Sequence, residues 1–301
     1  MFWQDKINKG DAMENYIYAL GDHCDKAIKV SEGEVIEIET RDCFNNQIDS
    51  EDYVMDSLDW DAINPATGPY YLENAKEGDV LKVDILDIQL APVGTMACLS
   101  DNGVLGKDII NTGIKKVHCD GHFAYFNDIA IPLKPMIGVI GVAPKDAPVT
   151  CGTPGSHGGN MDNTKIGIGA TLYLPIFKDG AYFAVGDVHA VMGDGEIMVS
   201  GVEIGAKVSV KLSVLKGISI DEPRLEDATH IYTVSSDENI ETAIHNACIT
   251  MNQILQKHLK YSLNDAGMLM SACGDLQFCQ VVDPKRTVRF AIPKFVCDKV
   301  L

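Results

Sequence analysis

Three stretches of this sequence share one layout: a glycine-bearing turn, then apolar and polar residues in strict alternation. Val30-Ser-Glu-Gly-Glu34 precedes Val35–Thr40, Glu77-Gly-Asp79 precedes VLKVDILDIQL, and Gly205 opens Ala-Lys-Val-Ser-Val-Lys-Leu. A period of two puts every second side chain on one face, so these segments are expected to be half-buried strands. Similar turn chemistry explains their likeness as well as duplication does. In the second stretch the phase flips. Leu81, Val83 and Ile85 share one face, and Leu86, Ile88 and Leu90 continue in the opposite phase. A flip in mid-strand requires a bulge or a change of sheet near Ile85–Leu86, which suits a sandwich or barrel better than a flat sheet.

Glycine and proline are frequent between residues 132 and 205, so strands there are expected to be short. YFAVGDVHA and EIMVSGVEI read as two strands joined by the turn Met192-Gly-Asp-Gly195. The last quarter changes character. Ser235 and Glu238 form a capping-box pattern ahead of Ile240, Ile244, Ala247, Met251, Ile254, Leu255 and Leu259, whose spacing predicts a helix of about six turns. Ser262 with Asp265 opens a second helix that stops at Gly274. LQFCQVV and TVRFAIP flank the turn Asp283-Pro-Lys as a hairpin. The expected fold is therefore mainly β, a sandwich- or barrel-like body with a C-terminal α+β subdomain. The expected division is 1–150 as a β-rich domain, 151–221 as a β domain carrying glycine-rich site loops, and 222–301 as two helices and a hairpin.

Composition removes several function classes. The 301 residues hold 43 Asp and Glu against 25 Lys and Arg, a formal charge of −18, which argues against nucleic-acid and anionic-membrane partners. Nine cysteines, from Cys24 to Cys297, contain no C-x-x-C, and the closest pair, Cys273 and Cys279, has five residues between them. An odd count, with no apolar leader in MFWQDKINKGD, predicts reduced thiols in the cytoplasm. The most apolar stretch, Ile129 to Pro144, carries Lys134, Pro132 and Pro135 and cannot be a spanning helix. Gly167-Ile-Gly169 lacks the third glycine of a dinucleotide loop, because Leu172 stands there, and Gly106-Lys107-Asp108 fails as a phosphate loop. Neither H-E-x-x-H nor G-x-S-x-G occurs.

What remains is polar chemistry concentrated where glycine is densest: Pro154-Gly-Ser-His-Gly-Gly-Asn-Met-Asp162 and Gly186-Asp-Val-His-Ala-Val-Met-Gly-Asp-Gly-Glu196. Asp187 and His189 are two apart on a strand and project from one face. Asp194 and Glu196 are two apart beyond the bend. Buried together, these carboxylates would repel one another, and a divalent cation is the simplest offset. Imidazole with carboxylate suits zinc first; an oxygen-rich set suits calcium or magnesium. The same residues also read as hairpin turns in an acid-rich chain.

Four strings, in order, decide between those readings. Asn64-Pro-Ala-Thr-Gly-Pro69, Pro135-Met-Ile-Gly-Val-Ile-Gly-Val-Ala-Pro144, Pro154–Asp162 and Gly180–Glu196 resemble the acetamidase/formamidase family, and Glu39-Thr-Arg-Asp42 resembles its early acidic pair. The resemblance covers most of the chain, and G-D-x-H-A-x-x-G-D-G-E is its most specific part. It implies hydrolysis of small amides to ammonia and a carboxylate, a mainly β fold, a divalent metal and a homodimer or larger homo-oligomer. Met192 departs from the family pattern, which commonly has Gln there. On this reading His189, Asp187 and Asp42 are metal ligands with His157 next in line, and a metal lowers the pKa of its water and polarises the carbonyl. Glu196 or Asp194 relays the proton, and backbone amides around Gly158, Gly159 and Asn160 serve the oxyanion. The rivals are a thiol hydrolase using Cys43 or Cys151, and a non-catalytic metal- or carbohydrate-binding β-sandwich. His118 and His122 would pair only on a helix, and their surroundings read as a hairpin with surface histidines.

Overall fold

The three alternating segments become neighbours. Ala206–Leu215 pairs antiparallel with Val80–Leu90 on one side and with Val35–Thr40 on the other. In this computed structural model, which describes residues 15–23 and 25–301, they form one end of an eight-stranded sheet. The order continues through Thr171–Pro175, Arg224–Glu226, His230–Asp237, Arg286–Pro293 and Asp275–Gln280. The MFWQDKINKGD segment and Cys24 lie outside the described residues. The phase flip is a bulge: Ser209 faces Asp87 and Val210 faces Ile85, so Leu86 is the extra residue. It is exposed, while Val83, Ile85 and Ile88 are buried.

A second sheet runs in the order Tyr16–Ile17, Ala66–Leu72, Phe183–His189, Met136–Gly141 and Gly158–Asn160, with Ile28–Val30 parallel to Ala66–Leu72. The two sheets share one core. Ile38, Val83, Leu172, Val208 and Val210 of the first cluster with Ile137, Ile140, Phe183, Val185 and Val188 of the second. Phe183–His189 and Met136–Gly141 are buried throughout, which places their polar residues inside the molecule. The mainly β sandwich-like body is thus as the alternation predicts. A four-stranded meander, from Val93–Cys98 to Ile129–Pro132, completes it. His118 sits on the Gly113–Cys119 strand and His122 in the following turn, both exposed, so the hairpin reading holds.

Two local expectations are corrected. EIMVSGVEI is not a strand. It is a loop touching the sheets through isolated bridges at Glu203. Two left-handed residues three apart, Glu196 with φ of 47° and Val199 with φ of 65°, break the extended run there. Ser235 does not cap the helix either, because it pairs with Val288 inside the His230–Asp237 strand. The cap is Asn239, whose side chain accepts from the Glu241 and Thr242 amides, a device worth about 1 kcal/mol. The helix then runs Ile240–Leu259. Its buried stripe of Ala243, Ala247, Met251, Ile254 and Leu255 packs on Ile231, Val288, Phe290 and Ile292. Ser262 caps the second helix, Leu263–Cys273, and Gly274 ends it. Arg224–Glu226 pairs with both Thr171–Pro175 and His230–Asp237, so the strands after residue 222 extend the sheet of the body. No described helix is long and apolar enough to cross a membrane.

Candidate active site

The site grows from the two buried central strands. Val139 pairs with Gly186 and Ile137 with Val188, which sets Asp187 opposite Gly138. A Cβ on Gly138 would collide with carboxylate oxygens of both Asp162 and Asp187, so only glycine leaves room for the two acids to converge. Gly201 does the same for the imidazole: a Cβ there would lie 2.6 Å from His189 Nδ1. Asp162, Asp187 and Glu196 adopt φ of 42°, 50° and 47°. Left-handed conformations cost a side-chain-bearing residue about 1–2 kcal/mol each. Three of them at neighbouring acids mark a place where local strain is held by the surrounding fold.

His189 Nε2 lies 2.9 Å from Glu203 Oε2, 3.3 Å from Asp187 Oδ1 and 3.8 Å from Asp162 Oδ1. Only the Asp187 contact is aligned as a hydrogen bond. Asp162, His189 and Glu196 bring one ligand atom each to within 4.8 Å of one another, and Cys43, Asp187 and Glu203 do the same. Glu203 is fixed by the Gly201 amide, which donates to Oε1 at 2.8 Å. Asp283 stands beside Asp162 and accepts from Asn160 Nδ2 at 2.9 Å. Both oxygens of Asp162, Glu203 Oε2 and Asn160 Oδ1 are buried without a hydrogen-bond partner. The group faces a cleft of about 620 Å³ whose walls include Phe44, Trp60, Ile63 and Pro284.

Five carboxylates share this space, and among the described residues none is ion-paired to lysine or arginine. Burial, reinforced by the neighbouring acids, raises the pKa of Asp162, Glu196 and Glu203, and burial raises that of Asp283. Burial opposes charge on His189 as well, but the Glu203 and Asp187 carboxylates outweigh it and raise its pKa well above the ordinary value. For Asp187 burial is outweighed by His189, and its pKa falls. Buried, unpartnered oxygens around one imidazole fit a divalent cation in their chemistry, and among the described residues His189 is the one basic side chain placed against these acids.

The sequence candidates divide. His189, Asp187 and Glu196 meet in the cluster, and Asn160 lines the cleft beside it. Asp42 is buried at its edge, where its carboxylate caps the Asn46 amide at 2.6 Å, and it belongs to neither ligand group. His157 also belongs to neither. Its ring sits against Gly155 and Gly159, and burial together with Lys285 pushes its pKa down to about 4. Asp194 is turned to Arg289 Nη2, at 2.5 Å, and to Thr164 Oγ1, at 2.6 Å. The Gly158 amide donates to Gly155 O at 3.0 Å. Of the two thiols, Cys43 lines the cleft, whereas Cys151 is buried in a small apolar cluster with its Sγ donating to Ile17 O. Burial, then the carboxylates around it, push the Cys43 thiol well above its ordinary pKa; burial pushes Cys151 up to about 12.

Asp162, Glu203 and Asp283 were not singled out by the sequence reasoning. Glu203 is a lone acid between Val202 and Ile204 and reads as the outward residue of an alternating strand. Asp283 reads as the first residue of a D-P-K turn. The one available signal was the acid closing the glycine loop at Asp162.

With the geometry described, comparison with known proteins adds the following. The profile of the Acetamidase/Formamidase family matches residues 20–150 and 149–299. The crystal structure of an acetamidase from Bacillus halodurans superposes with a TM-score of 0.92 at 40% identity, over 95% of this chain and 98% of that one. The structure of a predicted acetamidase/formamidase from Thermoanaerobacter tengcongensis gives 0.91 at 45% identity, over 94% of each chain. A formamidase from Methylophilus methylotrophus is 25% identical over 255 residues, 62% of this chain and 61% of that protein, so the match spans about three fifths of that relative.

Proposed function

This chain belongs to the acetamidase/formamidase family, and on that premise we propose that it hydrolyses small linear amides such as formamide and acetamide to ammonia and the carboxylate. The observation that carries the proposal is the floor of the cleft: four buried carboxylates and the half-buried Asp283 around His189, with no hydrogen-bond partner for Glu203 Oε2 or either Asp162 oxygen and, among the described residues, no lysine or arginine paired to them. His189, Asp162 and Glu196 would hold a divalent cation, zinc by the imidazole or calcium by the oxygens. Such an ion, when bound, supplies Lewis acidity, which polarises an amide carbonyl and lowers the pKa of a water.

The chain itself supplies the rest. Phe44, Trp60 and Ile63 offer apolar wall to the acyl group. Asp283 lines the same cleft, is oriented by Asn160 Nδ2 and has a raised pKa, so it can hold a proton near neutral pH and deliver it to the leaving nitrogen. His157 and Gly158 buttress the loop that presents Asn160. A thiol mechanism is less well supported. Cys43 is in the cleft, but its neighbours are carboxylates, which disfavour the thiolate that a nucleophile needs. Assembly into a symmetric dimer is part of the same proposal, supported by the apolar side chains of Ile110 and Phe295, which stand almost fully exposed.

Ammonia release from formamide and acetamide tests the reading, measured before and after exhaustive chelation. Activity should vanish on chelation and return with added Zn²⁺ or Ca²⁺. Full activity in protein holding no divalent ion would sink it.

A further inference from the structure

We infer that Cys43, Asp187 and Glu203 form a second cation seat, abutting the one made by Asp162, His189 and Glu196, so that the cleft floor is a two-ion centre with one sulfur ligand. The first seat rests on the proposed function; the second rests on its own residues. The three ligand atoms lie within 4.8 Å of one another, and all three residues are buried. Glu203 Oε2 has no hydrogen-bond partner although its other oxygen is fixed by the Gly201 amide, so an acceptor is left aimed into the cluster. The seats touch through His189, whose Nε2 is 3.3 Å from Asp187 Oδ1 and 2.9 Å from Glu203 Oε2. Two-metal hydrolytic centres hold their ions about 3.5–4 Å apart, a separation that adjoining ligand groups of this size can supply.

Charge favours two ions over one. A single dication among five carboxylates would leave a buried excess of negative charge with no described lysine or arginine paired to it. Sulfur makes the two seats unequal. A thiolate selects zinc-like ions over calcium or magnesium, whereas the imidazole–carboxylate seat is less discriminating. When the S–metal bond forms, the Cys43 proton leaves to solvent, so filling this seat releases a proton. The inference also gives Cys43 a place in the cleft without making it a nucleophile.

The test loads stripped protein with Co²⁺ or Zn²⁺ and reads ion content and the near-ultraviolet sulfur-to-cobalt absorption, with no amide present. The wild type should take up about two equivalents per chain and show the sulfur band. Cys43→Ser, a nearly isosteric change, should hold about one equivalent and lose the band; Asp162→Asn should also fall to about one but keep the band. A wild type that binds about one equivalent, or two without a sulfur band, overturns the inference. So does a Cys43→Ser protein that keeps both ions, even if it is inactive, because the thiol then acts on substrate. Two ions and the band in a protein that hydrolyses no amide would leave this inference standing and remove the activity assigned above.

Discussion

Two polar clusters lie close together in this molecule, one gathered around a buried cation and the other around buried acids. Arg289, 1% exposed, is fully engaged: Nε donates to Gln277 Oε1 at 2.6 Å, Nη1 to Asn163 Oδ1 at 2.9 Å and Nη2 to Asp194 Oδ2 at 2.5 Å. The cleft floor has as many polar groups and leaves both Asp162 oxygens and Glu203 Oε2 without partners. Asn163 and Thr164, held by Arg289, directly follow Asp162 in the chain. The Arg289 cluster therefore clamps the segment that delivers an acid to the cleft floor. Protein atoms complete the guanidinium and leave Asn163 Nδ2 as the buried atom beside it without a partner; at the cleft floor the unpartnered atoms are acid oxygens, which a bound cation would complete.

The strongest way to break this comparison is to remove one acid from each cluster. Asp162→Asn should lower kcat for small amides by about 10³-fold, the scale of losing a group central to the chemistry. Its effect on stability should change sign with the cation. In chelated protein the variant should be more stable than wild type, by about 1–3 kcal/mol, because a buried like-charge contact with Asp187 and Asp283 is relieved. With ions present the wild type regains the lead, since binding to the folded state adds about 3 kcal/mol at a hundredfold excess over Kd. Denaturant midpoints with and without chelator read both signs. An Asp162→Asn protein destabilised equally in both conditions would make the floor an ordinary structural network.

Asp194→Ala is the matching change on the other side. It removes the counter-charge of a guanidinium that has no access to water, and the expected loss is about 3 kcal/mol with or without chelator. Ion content per folded chain should hold. Asp194 itself is 42% exposed, so most of the penalty lies with Arg289 rather than with the acid. Loss of the ion from the folded variant would mean that the two clusters are one.

This division explains what could be read in the sequence and what could not. Strands were legible wherever one face is buried, down to the single extra residue at Leu86, because register errors there would turn a whole apolar face to solvent. The second helix was legible from Ser262 and Gly274, both local devices. The first cap was displaced because the Ser235 backbone already pairs with Val288 across the sheet, a non-local competitor. In the site, Asp187 and His189 are neighbours in sequence and stayed neighbours in space. Glu203 reaches them through left-handed turns at Glu196 and Val199, and Asp283 arrives from a hairpin ninety-odd residues on. Asp194 looked catalytic for its place beside Glu196, while a partner 95 positions away holds its carboxylate.

His157 offers the smallest and most discriminating test. Like the cleft floor it carries a buried nitrogen without a partner, Nε2, yet it belongs to neither ligand group. If missing partners alone marked function, it would bind the cation; on the present reading it is a neutral spacer behind the glycine loop. Burial, then Lys285, hold its folded-state pKa at about 4, below the ordinary value of about 6.5 in the unfolded chain. As pH falls from about 6.5 to 4 the unfolded chain takes up the proton and the folded chain does not, so stability drains across that window. By pH 5 the loss should reach about 2 kcal/mol. His157→Gln cannot titrate, and its urea midpoint should fall less than that of the wild type between pH 7 and pH 5, with ion content unchanged. Parallel curves would show that the ring is already charged or solvated in the folded state, and a variant stripped of its ion would move His157 into the cluster that the geometry places it outside.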